Sequence, residues 1–255
     1  MIMATYQELT HTNNEFISEL KRCIKNELPL SLCRIGDGEI NIFNKRTSDP
    51  INRFWKNWGY NSADEMINES RKMLMDCIKM SDWIGCVGYT DFMKTWHQDR
   101  LKRPKWYLDL KFVNESGRKE PLKTVDAFIP RTKSLGDVNE LRKVLQGKDI
   151  CIISPLNSNL KKNNLSKKLG CKITYIDVPY RSKIEHRNQI LNKIENIKEH
   201  VILTSWTLLG KDFHHKLFNQ GKVCLDMGSV ISAWAGKEIR WDFREGGPHR
   251  HCVIK

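Results

Sequence analysis

The apolar positions of this 255-residue chain fall into two rhythms. One has the helical period: Phe16, Ile17, Leu20 and Ile24 share a face within 13–27, and Pro29 ends the pattern. Met66, Ile67, Met73, Leu74, Cys77 and Ile78 repeat it within 64–80. The other rhythm is a short unbroken apolar run closed by turn residues, first at 30-LSLCRIG-36 and again at 83-WIGCVG-88. Residues 92–110 read as a helix that Pro104 interrupts, and the polar, Gly- and Pro-bearing stretch 111–124 reads as a loop. The second half is more regular. Strand-like runs at 125–129, 149–154, 173–178, 201–205 and 222–228 alternate with helical patterns near 138–146, 160–169, 183–199 and 208–220. This alternation predicts a Rossmann-like α/β fold, a mostly parallel sheet with helices on both faces. No repeat or low-complexity linker divides the chain, so one domain is expected over 1–255, with an N-terminal helix at 13–27 and a movable basic tail at 244–255.

Composition narrows the class. Hydrophobic residues make up 40% of the chain, enough for a core and too many for a disordered segment. No apolar run approaches the roughly 18 residues of a membrane span. The N-terminal stretch lacks a basic region followed by an apolar one, so no secretory signal is expected and a cytoplasmic location is. Eight Cys form no CxxC pair; Cys33, Cys86, Cys151 and Cys224 sit inside apolar runs, where a thiol behaves as a small buried hydrophobe. Lys and Arg number 43 against 30 Asp and Glu, a net charge of +13 that points to an anionic partner without naming it.

Ligands of open parallel sheets bind beyond the carboxyl ends of the strands. That rule selects residues 34–39, 88–91, Pro130-Arg131, Ser154-Pro155, 179–181, 205–207 and 226–229. The first group is the most informative. On an extended segment Asp37 and Glu39 point the same way, so both carboxylates can face one ligand. Hard oxygens in that arrangement suit Mg²⁺ or Mn²⁺ together with phosphate oxygens. Gly36 and Gly38 leave room for a diphosphate, and Arg34 lies within reach of one. The competing reading makes this a helix start, with Asp37 as its cap and Glu39 in its first turn. A Walker A loop is absent, and GxGxxG is not completed after Gly36 and Gly38.

The stretch 31-SLCRIGDGEI-40 resembles the opening block of GT-D-type glycosyltransferases, R-[FI]-G-D-G-E at the end of a first strand. The resemblance continues in order through 74-LMDCIKMSDWIGCVG-88, 128-FIPR-131, 147-GKDICIIS-154, 176-IDVPYRSKIEHRNQILNKI-194 and 217-LFNQGKVCLDMGS-229, over roughly residues 30–230. Only the first block is specific by itself. The resemblance implies a GT-D-like fold and a metal-dependent glycosyltransferase. Asp37 and Glu39 would form a D-x-E motif holding Mn²⁺ or Mg²⁺ and the nucleotide end of a sugar donor, commonly a UDP-sugar. It implies Arg34 and Arg131 beside the diphosphate, and Asp226 near the reacting centre. Gly36, Gly38, Ser154 and Ser205 would complete the donor site. The acceptor would be a glycan, glycoprotein or glycolipid. Three departures bear on donor base and acceptor: 154-SPLNSNLKKNN-164, 205-SWTLLGK-211, and Ser229 where the family often has His.

Glycosyl transfer builds negative charge on the departing diphosphate, which the metal, Arg34, Arg131 and Lys211 would oppose. An inverting reaction also needs a base, for which Asp91, Asp177 and Asp226 are candidates. The tail carrying His249 and His251 is a candidate to close over the donor, with His249 completing the metal shell, although terminal His residues are more often solvated. His214 and His215 are adjacent in a helical pattern and face different ways. The Lys run 161-KKNNLSKK-168 reads as a solvated helix face, with peripheral membrane association as its sharper reading. Most of the eight Trp residues, among them Trp55, Trp58, Trp96, Trp106, Trp206, Trp234 and Trp241, read as core packing, and some are candidates to stack on sugar or uracil. Two other classes compete. A methyltransferase binding its cofactor over Gly36-Asp37-Gly38 would need an acidic ribose ligand after the second strand, where only Asp91 is available. A nucleic-acid-binding domain would need a basic, aromatic patch such as 100-RLKRPKWY-107; no recognised motif supports it, and no nucleic acid is expected.

Overall fold

The computed structural model describes residues 10–43, 60–86, 110–127, 129–155, 165–178, 184–205 and 211–234. In chain order the elements are α1 (Asn13–Asn26), β1 (Leu30–Ile35), α2 (Asp37–Phe43), α3 (Ala63–Met80), β2 (Trp83–Cys86), α4 (Leu110–Glu115) and β3 (Lys123–Asp126). A 3₁₀ turn (Ile129–Arg131) leads to α5 (Lys133–Gly136), α6 (Val138–Leu145), β4 (Asp149–Ser154), β5 (Lys172–Asp177), α7 (Ile184–Ile194), β6 (Val201–Thr204), α8 (Asp212–Asn219), β7 (Val223–Asp226) and α9 (Val230–Trp234).

The helix boundaries follow from local chemistry. Thr12 and Glu15 form a reciprocal capping box at the start of α1, and Glu27 ends that helix in the left-handed region at φ 54°. Ser62 accepts from the Glu65 N–H at the start of α3. The side chain of Asp137 accepts from the Asn139 N–H where α6 begins. Helix α7 stops at Ile194 rather than at 199. Its last carbonyls are taken by tightened turns, among them Ile197 N–H to Ile194 O at 3.1 Å.

Seven strands lie in one sheet in the order β3-β2-β1-β7-β6-β4-β5. Every recorded pairing is parallel. Parallel strands are covered on both faces, and successive side chains divide between two cores. Leu30 and Leu32 of β1, Ile150 and Ile152 of β4, and Val223 and Leu225 of β7 join Phe16, Leu20, Leu141 and Trp234. Cys33, Ile35, Cys151, Ile153 and Cys224 join Phe43, Met66, Leu74, Ile78 and Leu217 on the other face. Burying each large apolar side chain contributes about 1.5–3 kcal/mol. Cys33, Cys86, Cys151 and Cys224 are buried free thiols in these cores, as their apolar runs predict. Among the described residues no helix is long and apolar enough to cross a membrane.

Two local expectations are corrected. Residues 111–115, read as loop, belong to α4, which starts at Leu110. Phe112 is buried and stacks on Phe43 at 4.6 Å, with Lys111 and Arg71 over its ring, so tertiary contact holds a helix that local pattern does not announce. The segment carrying Asp37 and Glu39 is helical and not extended. Residues two apart on a helix do not share a face, so the extended-strand argument for two convergent carboxylates fails. The helix 92–110, except at its last residue, Asp91, Phe128, the loop 156–164 and the tail 244–255 with His249 and His251 lie outside the described residues. So do Trp55, Trp58, Trp96, Trp106, Trp206 and Trp241. Trp234 is buried as expected and donates through Nε1 to Gly136 O at 2.7 Å.

Candidate active site

The strand order defines where a site belongs. From β1 the chain adds β2 and β3 outward on one side, then crosses to place β4 and β5 on the far side of β6. The neighbours β1 and β7 therefore flank the switch point, beyond whose carboxyl ends a crevice forms. Arg34 and Asp226 stand at those ends, on opposite faces of the sheet by the strand period.

On the α3 and α8 side, Lys211 leads into α8 and is 5% exposed. Its Nζ lies 2.5 Å from Asp226 Oδ2, 2.5 Å from Arg34 O and 3.5 Å from Glu39 Oε1. Two acceptors thus take hydrogen bonds from the ammonium, and the Glu39 carboxylate pairs with it as an ion. The Lys211 carbonyl is also held, accepting from Cys77 Sγ of α3 at 2.7 Å. Asp226 is 4% exposed. Its other oxygen, Oδ1, accepts from the Gly228 N–H at 3.1 Å. Burial opposes its ionisation, but the positive charges of Lys211, Arg34 and His214 outweigh burial and hold the carboxyl down at about 2. Burial likewise opposes the Lys211 charge, and Asp226 and Glu39 reverse that, raising it above the usual lysine value. Glu39 Oε2 accepts from the Gly36 N–H at 2.9 Å, half of a capping box at the start of α2. This satisfies the helix-start reading for Glu39 without removing the side chain from the crevice.

Beneath Asp226, His214 is buried between Thr204 Oγ1 at 3.1 Å from Nε2 and Cys224 Sγ at 3.6 Å from Nδ1. Burial pushes the Cys224 thiol well up, so it stays protonated.

On the opposite side, Arg34 Nε donates to Ala127 O at 2.6 Å. Its guanidinium lies directly over Gly228, where a Cβ would fall 2.0 Å from Nη1. Gly228 has φ +53°, so both the turn and the close approach call for glycine. The next residue, Ser229, accepts from Arg131 Nη2 at 3.5 Å, and Arg131 is 5% exposed. Two guanidinium groups therefore meet one short turn after β7.

Of the residues selected from sequence, Arg34, Gly36, Glu39, Arg131 and Asp226 come together at this crevice. Ser154 ends β4 and Ser205 follows β6, its neighbour in the sheet; Ser154 is 1% exposed, and its Oγ has no hydrogen-bond partner among the described residues. Asp37 begins α2, and Gly38 follows it. Asp177 is exposed at the end of the outlying strand β5. Sequence reasoning underweighted Gly228 and misdirected Lys211, which faces protein oxygens and not open crevice. The signals were a glycine two residues past a strand-ending aspartate and a lysine after Gly210 opening a helix. Among the described residues no group of three His, Cys, Asp or Glu is placed to hold a metal.

The fold resembles solved structures closely enough to align most of the chain. A selenomethionine-substituted domain of unknown function 1792 matches with TM-score 0.61 and 18% identity, covering 89% of this chain and 80% of that one. A second structure of that domain, described as having a distinct glycosyltransferase fold, gives TM-score 0.60 and 19% identity over 88% and 79%. A glycosyltransferase of the same domain from Streptococcus sanguinis gives 0.58 and 20% over 89% and 83%. No curated protein matches. Residues 11–234 match the GT-D-like family, a GT-D fold-like domain, across the whole sheet and every crevice residue described above. The chain belongs to the GT-D-like family of glycosyltransferases.

Proposed function

We propose that this glycosyltransferase moves a sugar from a nucleoside diphosphate donor, a UDP-sugar, to a glycan, glycoprotein or glycolipid acceptor. A divalent cation, Mn²⁺ or Mg²⁺, assists. The observation that carries this reading is the pairing of Arg34 and Arg131 on the turn Gly228-Ser229, beside Glu39 at the switch point. Two fixed guanidinium groups next to an oxygen-donor carboxylate suit a diphosphate carrying a hard cation.

The residues fit such a cation in donor type. Glu39 is partly exposed, and each of its oxygens has one protein partner, Lys211 at 3.5 Å and the Gly36 N–H at 2.9 Å, which leaves lone pairs for a ligand. Asp226 does not fit as a ligand, because it is 4% exposed and its Oδ2 is held by Lys211 at 2.5 Å. The chain would then supply Glu39, with Asp37, which begins the same helix without sharing its face, as the second carboxylate; phosphate oxygens and water would complete the coordination as Mg²⁺ prefers. When bound, the cation supplies Lewis-acid charge to the leaving group.

Arg34 and Arg131 orient the diphosphate and offset the charge that grows on it as the glycosidic bond breaks. Their preorganisation comes from Ala127 O, from the Cβ-free surface of Gly228 and from Ser229. Asp226, held at about 2, is a poor proton acceptor at neutral pH and serves to anchor Lys211 and the turn. The Lys-rich surface would bring the enzyme to anionic acceptors, peripheral membranes included.

Calorimetric titration of UDP with and without Mn²⁺, repeated on Asp37→Ala and Glu39→Ala, tests the reading. Metal-dependent binding lost in both variants is expected. Binding that ignores both the metal and the substitutions would overturn it.

A further inference from the structure

The ammonium of Lys211 touches oxygens from three separate elements: the carbonyl of Arg34 in β1, Glu39 in α2 and Asp226 at the end of β7. Its own backbone is fastened to a fourth, through Cys77 of α3. Of the two carboxylates it joins, Asp226 ends β7 and Glu39 lies in α2, which follows β1, so they reach the switch point from both flanking strands. Lys211 is 5% exposed and directed at these protein oxygens, so its charge acts on the protein's own groups.

We propose that Lys211 is a positioning residue, an internal cation that holds Glu39 and the β1–α2 turn in their ligand-ready arrangement before any donor or metal arrives. Glu39 is pinned at two points, by Lys211 at Oε1 and by the Gly36 N–H at Oε2. Without Lys211, two carboxylates would face each other across the crevice with nothing between them. Glu39 would turn outward, releasing the Gly36 amide. The importance of this residue for donor binding rests on the donor reading given above; the pinning of Glu39 does not.

Removing Lys211 alone also strands a buried anion, so Lys211→Met can lose activity merely by unfolding. The double variant Lys211→Met/Asp226→Asn removes both charges and keeps an acceptor for the Gly228 N–H. Hydrogen–deuterium exchange is measured on the unliganded protein over residues 34–43, with thermal unfolding in parallel. Expected is a double variant that regains most of the wild-type melting temperature while amides at 36–40 exchange about tenfold faster, a local opening and not a global one. Its affinity for UDP with Mn²⁺ should fall about tenfold, the size of one lost charged contact. Wild-type exchange at 36–40 in a stable double variant would overturn the proposal and leave Lys211 a purely structural charge. Failure of the wild-type protein to bind UDP with Mn²⁺ would instead sink the donor reading, while the exchange result still judges Lys211.

Discussion

The two ends of the sheet each carry an aspartate withdrawn from water, and the two are handled in opposite ways. At the carboxyl end, Asp226 faces Lys211, Arg34 and His214 and is held down at about 2 despite burial. At the amino end, half-buried Asp82 accepts from the Ser31 N–H at 2.8 Å and donates its own N–H to Ser31 Oγ at 3.1 Å. Burial raises its carboxyl above the ordinary aspartate value, against the Ser31 hydrogen bond and the more distant Lys123 and Arg118. Nearby, Arg118 spends Nη1 on carbonyls, at 2.9 Å from Ile78, 3.4 Å from Lys79 and 2.5 Å from Ser81. The amino end uses polar groups to stop α3 and align β1 with β2. The carboxyl end concentrates charge on charge, which costs desolvation and creates a polarised crevice. The amino end holds structure together; the carboxyl end is where the proposed donor would sit.

The largest effect should come from breaking the charge-on-charge end. Lys211→Met leaves Asp226 buried without its cation and should cost about 3–5 kcal/mol of stability, read from urea unfolding. A loss under about 1 kcal/mol would mean that this pair resembles an exposed one, and the contrast between the ends would collapse. Next is the amino end. Arg118→Ala removes a charged donor from four carbonyls, those of Ile78, Lys79, Ser81 and Glu120, and should cost about 1.5–3 kcal/mol, with UDP affinity and transfer rate unchanged. Loss of UDP binding at matched stability would show that the amino end is not merely structural. Gly228→Ala inverts that pattern. The left-handed backbone costs about 1–2 kcal/mol, while displacing Arg34 should weaken UDP binding about tenfold, a loss of function where Arg118→Ala has none.

How far these differences could be read beforehand depends on range. The alternation of apolar runs and amphipathic helices is local, and it gave the parallel sheet, the strands at 30–35, 149–154 and 223–226, and both long helices. The block Arg34–Glu39 was marked by its residue types, and its place at the switch point followed from its position after the first strand. The geometry within it was misjudged. Gly36-Asp37-Gly38-Glu39 suits an extended turn or a helix start equally well, and Ile40 and Phe43 packing on the α3 face decides for the helix. Lys211 and Asp226 are far closer in sequence than either is to Glu39, yet no local pattern says that they meet. Their contact exists only because β6 and β7 are neighbours with α8 between them. Helix α4 was missed for the same reason, since the ring on which Phe112 stacks lies far away in sequence.

The smallest effect is the sharpest test of the contrast, because it reads direction. Asp226 titrates lower in the fold than in the unfolded chain, so its stabilising contribution is complete above the unfolded value of 3.8 and disappears as pH falls toward about 2. Asp82 runs the other way. Its folded value lies above 3.8, so between 3.8 and that raised value the native state binds more protons, and stability falls as pH rises through this window. Each slope is bounded by about 1.4 kcal/mol per pH unit for a single proton. Urea midpoints measured from pH 2.5 to 6 (about one point every half unit) should therefore change in two ways. Asp226→Asn should remove a rise with pH on the acid side, and Asp82→Asn should remove a fall just above it. Carboxyl ¹³C shifts assign each titration directly. If both aspartates moved in the same direction, burial alone would govern the two ends, and the cations around Asp226 would no longer explain its ionised state.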